Sequence, residues 1–202
     1  MSVKPILFNT EMVRAILDGR KSCTRRIVKG FIPNDAVWGY TAFTPKGYIS
    51  CRGTFADGYG EKFFKLPSQP GDILYVRETW SEWTDGYLYK AWNSPFPQAG
   101  QSSVMRWHPS IHMPKEAARI WLEVTNVRVE RLQETTPQGA WKEGARCSCL
   151  HPVPDCAGNK TTFVNIWNST IKKADLDCYG WDANPWVWVI EFERCEKPGT
   201  EP

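Results

Sequence analysis

The sequence predicts an α+β fold in which helices flank a β-sheet or barrel. The first indication is a pair of stretches, residues 73–76 and 186–192, that are almost continuously apolar and rich in β-branched and aromatic residues. The second is residues 119–132, where apolar and polar side chains alternate, with a break near Thr125 and Asn126 that predicts a β-bulge. The third is the order of elements, which is typical of α+β architecture: a helix, strands, two helices and a last strand.

Three short helices are predicted from capping residues and apolar spacing. The first is capped by Asn9 or Thr10, has apolar residues on one face between residues 12 and 17, and is ended by Gly19, in the position where glycine commonly ends a helix. The second has Pro137 in its first turn and ends near Gly144. The third is capped near Thr161.

The remaining segments are predicted to be mostly irregular. Residues 30–70 are rich in Gly, Pro, Tyr and Phe, with strand-like pieces at 37–40 and 48–51 that can pair as a hairpin. Another strand is expected at residues 87–92, before a polar loop over 93–103.

Composition excludes several classes of protein. Hydrophobic residues make up 42% of the 202, and 11 are Trp, which is too apolar for a disordered chain. No apolar run approaches the roughly 20 residues of a membrane-spanning helix. The first ten residues lack the apolar core of about 7 or more residues found in signal peptides. We therefore expect a cytoplasmic protein with no membrane partner, folded as a single domain over residues 1–202.

Positive charge is concentrated near the N-terminus. Residues 1–30 contain seven bases and two acids, whereas the formal charge of the whole chain is only +3. A compact basic segment favours a phosphate-binding pocket, and the small total disfavours a protein that coats DNA non-specifically. A solvated helix end is the alternative explanation, because cations stabilise helix C-termini.

One cysteine-rich segment has an uncommon pattern. Cys147, Cys149, His151 and Cys156 follow the spacing Cys-x-Cys-x-His-x4-Cys, which resembles a zinc loop but is not one of the usual zinc patterns. The alternative is a loop insertion with free thiols, and the sequence leaves both interpretations open. No metal or other cofactor is assigned from the sequence.

Residues 19–26, with the sequence GRKSCTRR, resemble the G-x-K-x-x-T-x-R signature of the ASCH domain family, a branch of the PUA-like superfamily. Further similarities to the family occur in the same order along the chain: residues 71–74 (GDIL), 140–144 (AWKEG), 163–167 (FVNIW) and 186–192 (WVWVIEF). Longer pieces resemble a phage and prophage subfamily often labelled morphogenetic proteins: residues 76–80 (VRETW), 109–114 (PSIHMP) and 181–189 (WDANPWVWV).

The resemblance implies a PUA-like β-barrel with flanking helices and an adjacent cleft. Insertions are expected near residues 30–65, 82–116 and 145–160. The partner it implies is nucleic acid, RNA rather than DNA, or a modified nucleoside, and the location would be the host cytoplasm if the gene belongs to a phage. A role in protein interaction is suggested only by the morphogenetic label.

The resemblance also implies candidate catalytic residues. Some small bacterial ASCH proteins are amidohydrolases that remove the acetyl group of N4-acetylcytidine, using a Lys and a Thr of the first motif and a Glu of the helix. Matching by motif places these roles at Lys21, Thr24 and Glu143. The chemistry is plausible, since a Thr hydroxyl becomes nucleophilic when a base takes its proton. Lys21 and Thr24 would share a helix face if the first helix extended through them.

A non-catalytic module on the same cleft is the alternative, with Lys21 and the arginines binding phosphate. Strand-end residues often carry binding sites, and a Trp face can stack an unpaired base. The expected nucleic-acid or nucleoside contacts are Arg20, Arg25, Arg26, Arg77, Glu78 and Trp80.

Overall fold

The computed structural model describes residues 2–84, 86–92 and 106–199, and these confirm the α+β class. The strands are β1 (Val3–Leu7), β2 (Cys23–Ile27), β3 (Val37–Gly39), β4 (Tyr48–Phe55), β5 (Gly58–Lys65), β6 (Ile73–Arg77), β7 (Trp80–Trp83), β8 (Gly86–Tyr89), β9 (Trp121–Arg131) and β10 (Trp186–Cys195). The α-helices are α1 (Thr10–Leu17), α2 (Pro137–Lys142), α3 (Ala157–Thr170) and α4 (Leu176–Tyr179).

A five-stranded sheet in the order β1-β6-β9-β10-β2 forms the centre of the fold. Only β1 and β6 run parallel; the other pairs are antiparallel. The predicted bulge is confirmed, because Glu191 and Phe192 pair with Asn126 and Val124 and leave Thr125 unpaired. Among the described residues no ladder joins β1 to β2, so the sheet is open rather than a closed barrel.

Both faces of β10 are buried, which explains its nearly continuous apolar sequence. Because side chains alternate along a strand, Trp188, Ile190 and Phe192 pack in the core beneath α1, while Val187 and Val189 pack in a second core with α2 and α3. Helix α1 therefore packs on one face of β10, and helices α2 and α3 pack on the other face together with β2.

The segment over residues 30–65 is more regular than predicted. It forms the three-stranded sheet β3-β4-β5, in which β4 and β5 make a hairpin turning at Gly58, whose φ is +110°. Strand β5 was missed because most of its side chains are exposed and show no apolar alternation. In the next segment, β7 and β8 form a second hairpin. The predicted loop over 93–103 lies outside the described residues.

The helices differ from prediction mainly at their ends. Helix α1 is capped by Asn9, whose side chain accepts a hydrogen bond from the Met12 amide, and α2 begins at Pro137 as expected. Helix α3 begins at Ala157, one turn earlier than predicted, and α4 was not predicted. No helix in the described parts of the chain is both long and apolar enough to cross a membrane.

Asp72 ties the start of β1 to the turn before β6. Its carboxylate accepts hydrogen bonds from the Ser2 amide and hydroxyl, from Lys4 Nζ at 2.7 Å and from the Gln69 amide. Burial alone would raise the pKa of this carboxyl, but the hydrogen bonds outweigh burial and hold the pKa well below its usual range.

We expect Asp72→Asn to lower the free energy of unfolding by about 1–3 kcal/mol at pH 7, because it removes a buried charged acceptor. A depressed pKa stabilises the fold above the unfolded value near 4, and that stabilisation is lost as pH falls through the folded pKa. Urea denaturation at pH 7 and pH 3 should therefore show a smaller difference between variant and wild type at pH 3. Asp57→Asn, at an exposed ion pair, is the control. An equal difference at both pH values would contradict the assignment.

Candidate functional site

The basic signature segment is extended rather than helical. Gly19, with a φ of +68°, ends the first helical segment, and the amides of Arg20 and Lys21 both donate to Ala15 O. The chain then continues as β2, which pairs with β10. The expectation that Lys21 and Thr24 share a helix face is therefore wrong: α1 ends at Leu17, and Thr24 belongs to strand β2.

Alternation along β2 separates the signature residues onto two faces. Thr24 and Arg26 point to one side, where Arg26 Nη1 donates to Thr24 Oγ1 at 2.7 Å. Cys23 and Arg25 point to the other side, with Arg25 Nη1 3.9 Å from Cys23 Sγ. Each face of this edge strand therefore carries one arginine.

Glu143, just after α2, joins Lys21 and Arg25 in a buried ion-pair network. Lys21 Nζ donates to Glu143 Oε2 at 2.5 Å, to Glu143 O at 3.1 Å and to Cys23 O at 2.7 Å. Arg25 Nη1 donates to the other Glu143 oxygen at 3.3 Å. Lys21 and Arg25 side chains are 0% and 2% exposed, so both cations depend on Glu143 for compensation.

Glu130 completes the charge balance of this network. Its Oε1 accepts from Arg25 Nε at 3.0 Å and from Arg25 Nη2 at 2.7 Å. Arg25 pairs with Val189 and Glu130 pairs with Val187, so the two side chains meet across β10. Sequence analysis missed Glu130, because only the register of β9, β10 and β2 brings it to the signature segment.

Cys23 lies inside the same network but is not a candidate nucleophile. Burial, reinforced by the negative charge of Glu143, raises the pKa of its thiol to about 12. A thiol with such a pKa carries almost no thiolate near neutral pH, and the thiolate is the nucleophilic form.

Arg26 differs from Arg25 in its partners. Besides Thr24 Oγ1, its guanidinium donates only to the carbonyls of Arg25 and Leu7, at 2.9 and 3.1 Å, and it lies 5.3 Å from the centre of the Phe8 ring. Burial lowers the pKa of Arg26, partly offset by the charge of Glu143, yet a guanidinium stays ionised at neutral pH. Within the described ranges, no carboxylate forms an ion pair with it.

These residues meet at a cavity of about 700 Å³ between α1, β2 and α3. Thr24, Arg25, Arg26 and Glu143 lie in its wall, whereas Lys21 does not itself line it. Most of the remaining wall is apolar and comes from helices and strand ends: Leu7, Met12, Ala15, Ile27, Ala145, Phe163, Ile166, Trp167 and Ile171. The cavity thus combines an apolar chamber with arginines, a carboxylate and a hydroxyl.

Besides Arg25 and Arg26, the predicted contact Arg20 also lies in the cavity wall, where it is ion-paired to Asp18 at 2.8 Å. Arg77 donates to Met113 O, and Glu78 is buried in an ion pair with Arg119. Trp80 is 5% exposed and packs in a core of its own, so its ring is not free to stack on a base. The structure therefore does not bring Arg77, Glu78 and Trp80 to the cavity.

The cysteine-rich segment lies between α2 and α3. Cys147 and Cys149 are joined in a disulfide, and Cys156 Sγ lies 3.3 Å from Cys147 Sγ and 3.6 Å from Cys149 Sγ. His151 is exposed and outside this group. The structure thus brings together three of the four predicted metal-ligand candidates.

No protein-family model and no curated protein sequence matches the chain. Among solved structures, the chain is similar to an ASCH domain from Lactobacillus crispatus JV V101. Sequence identity is 12%, the alignment covers 96% of this chain and 79% of that chain, and the TM-score is 0.43. A similarity this distant does not indicate the function of the chain.

Proposed function

We propose that the chain recognises a nucleotide of single-stranded RNA, or a modified nucleoside, in the cavity between α1, β2 and α3. The observation that carries this proposal is Arg26. It is the cation of the signature segment that faces the cavity without an acidic partner among the described residues, so it is available to an anionic ligand.

The charges around Arg26 support this assignment. Lys21 and Arg25 are balanced by Glu143 and Glu130, and Arg20 is balanced by Asp18. A phosphate placed at Arg26 would therefore complete the pairing, and an arginine fork suits phosphate oxygens.

The size and walls of the cavity fit a nucleoside. Small-molecule sites usually measure about 300–1,000 Å³ and combine mostly apolar walls with a few polar groups. The apolar side chains of Met12, Ile166 and Ile171 offer surface to a base, while Thr24 and Arg26 offer polar contacts. The resemblance of residues 19–26 to the ASCH signature favours RNA over DNA.

The test is binding of a fluorescently labelled single-stranded RNA of mixed sequence, with the DNA of the same sequence in parallel. We expect RNA to bind more tightly than DNA. Each phosphate contact to a single strand contributes about −0.7 to the slope of log K against log salt. Arg26→Gln should weaken binding about tenfold, the effect of losing a charge-assisted hydrogen bond, and make the slope shallower by about that amount.

Two matched variants make the result specific. Arg26→Lys keeps the charge and should retain the salt slope. Arg52→Gln removes an exposed arginine on β4, away from the cavity wall, and should bind as the wild type does. Binding that ignores Arg26, or no RNA binding at low salt, would contradict the proposal.

Hydrolysis of an N-acylated nucleoside is a second candidate, favoured by the contact between Arg26 and Thr24. A guanidinium that donates to Thr24 Oγ1 stabilises negative charge on that oxygen. In such a reaction Thr24 Oγ would attack the acyl carbon and lose its proton, the nucleoside amine would leave with a proton, and water would then release the acid.

The observed contacts constrain the base in this reaction. Lys21 donates to three acceptors, which uses all three protons of an ammonium group. Lys21 can accept a proton from Thr24 only after passing one of its own to Glu143. We therefore propose that Lys21 and Glu143 act as one unit in proton transfer.

A further inference from the structure

Three sulfur atoms converge in the segment that connects α2 to α3. The Sγ atoms of Cys147, Cys149 and Cys156 all lie within 4.8 Å of one another. The side chains of these cysteines form no hydrogen bond in the described network around Glu143, so that network does not explain why the three sulfur atoms lie together.

Buried polar contacts hold the three cysteines together. Asn159, which is 0% exposed, accepts a hydrogen bond from the Cys147 amide and donates to Val153 O and Pro154 O. One side chain in α3 therefore fixes both arms of the loop. An unsatisfied buried amide is costly, so this bridge keeps Cys147 beside Cys156.

Gly158 allows the close approach of the loop to α3. A Cβ at this position would lie 2.7 Å from Cys147 Cβ, a distance that real Cβ atoms do not tolerate. Cys156 is the N-cap residue of α3, so its sulfur lies at the start of that helix. The backbone of the segment thus brings the cysteine sulfur atoms close together, and one of them lies at the start of α3.

The position of Cys156 distinguishes two possible functions of the three cysteines, thiol–disulfide exchange and metal binding. A thiolate that attacks a disulfide approaches in line, which leaves the second sulfur roughly 2 Å farther away than the first. Here Cys156 Sγ lies at similar distances, 3.3 and 3.6 Å, from the two sulfurs. Thiolates around one tetrahedral zinc ion, at about 2.3 Å from it, lie about 3.8 Å apart. The two distances from Cys156 therefore fit ligands of a shared ion, formed once the Cys147–Cys149 bond is reduced, better than in-line thiol exchange.

We propose that Cys147, Cys149 and Cys156 bind one Zn²⁺ in the reduced chain. A phosphine supplies two electrons to open the Cys147–Cys149 bond, while one water molecule supplies two protons to the sulfurs and its oxygen to the phosphine oxide that forms. The three thiols then release three protons to solvent as they bind the ion. Solvent takes the fourth position, since His151 lies outside the cluster.

Zinc at this position would stabilise one wall of the cavity. The three ligands lie between Ala145 and Phe163, both of which line the cavity. The ion would fix the connection between the end of α2, next to Glu143, and the start of α3.

The test is the metal content of the full chain, purified with a phosphine reductant after incubation with zinc and removal of the excess. We expect about one zinc per chain by elemental mass spectrometry. Cobalt added in place of zinc should give thiolate-to-cobalt charge-transfer absorption. Cys156→Ser and Cys149→Ser should each lose most of the zinc and this absorption, while Cys178→Ser, at an exposed cysteine outside the cluster, should keep both.

Circular dichroism of each variant separates loss of metal from loss of fold. Hydrogen exchange should also be faster in α3 after chelation of zinc from the wild type. A folded, reduced wild type that retains less than about 0.1 zinc per chain would overturn the proposal, as would equal zinc loss in Cys178→Ser.

Discussion

Replacing Glu143 with glutamine should lower the free energy of unfolding by about 3–5 kcal/mol, because it leaves the buried Lys21 ammonium without a counter-charge and removes one of the two carboxylates that pair with Arg25. Lys21 and Arg25 are almost completely buried, and Glu143 is the carboxylate that contacts both. Arg25 would keep Glu130, so Lys21 should account for most of the loss. Urea denaturation at neutral pH, monitored by tryptophan fluorescence, measures the change.

A double variant separates the lost pairing from other effects. Lys21→Met with Glu143→Met removes both charges, so its destabilisation should be clearly smaller than the sum of the two single changes. Glu11→Gln, in an exposed ion pair with Arg14, should change stability by less than about 0.5 kcal/mol. If Glu143→Gln were as mild as Glu11→Gln, the buried network would not stabilise the fold.

Thr24→Val should reduce acetate release from N4-acetylcytidine by at least about a thousandfold, if Thr24 supplies the nucleophilic oxygen as proposed. Valine has nearly the shape of threonine, and Thr24 is 1% exposed, so the change removes the hydroxyl with little change in packing. The hydroxyl is also the acceptor for Arg26, which makes the oxygen central to the proposed chemistry. Acetate release by the wild type and variant at matched concentration is the measurement.

Thr24→Ser is the matched control, since it retains a hydroxyl at the same position and should keep measurable turnover. RNA binding by Thr24→Val should change much less than turnover, because Arg26 is still present. Turnover that survives in Thr24→Val would exclude the Thr nucleophile. An inactive wild type that binds RNA would leave the chain as a binding module.

Local chemistry in the sequence was sufficient to predict much of the fold. Pro137 and the residue before it predict a helix start, the apolar run over 186–192 predicts a buried strand, and the break at Thr125 predicts a bulge; all three are present. The strand β5 was missed because the signal is hydrophobic alternation, and this strand is held by backbone pairing with β4 instead.

The candidate site was less accessible to prediction, because its geometry depends on pairing between distant strands. The motif identified the segment carrying Thr24 and Arg26, but their shared face follows from strand geometry rather than from helical spacing. Glu130 lies in a strand that sequence analysis did predict, yet its contact with Arg25 depends on the register of β10 between them. Trp80 was predicted to stack on a base because tryptophan rings commonly do so, but in the structure its side chain is buried in a hydrophobic core.

The pairing of β2 with β10 also has a consequence for biosynthesis. The signature segment is synthesised long before its hydrogen-bonded neighbour, which spans Trp186–Cys195. Until β10 is made, residues 23–27 have no strand to pair with. Arg25 and Glu130 also cannot form their ion pair, because β10 lies between their strands and sets their relative positions. Such non-local pairing is slow to form. The nascent chain would therefore carry an exposed basic segment and acquire a defined cavity only after β10 has been made.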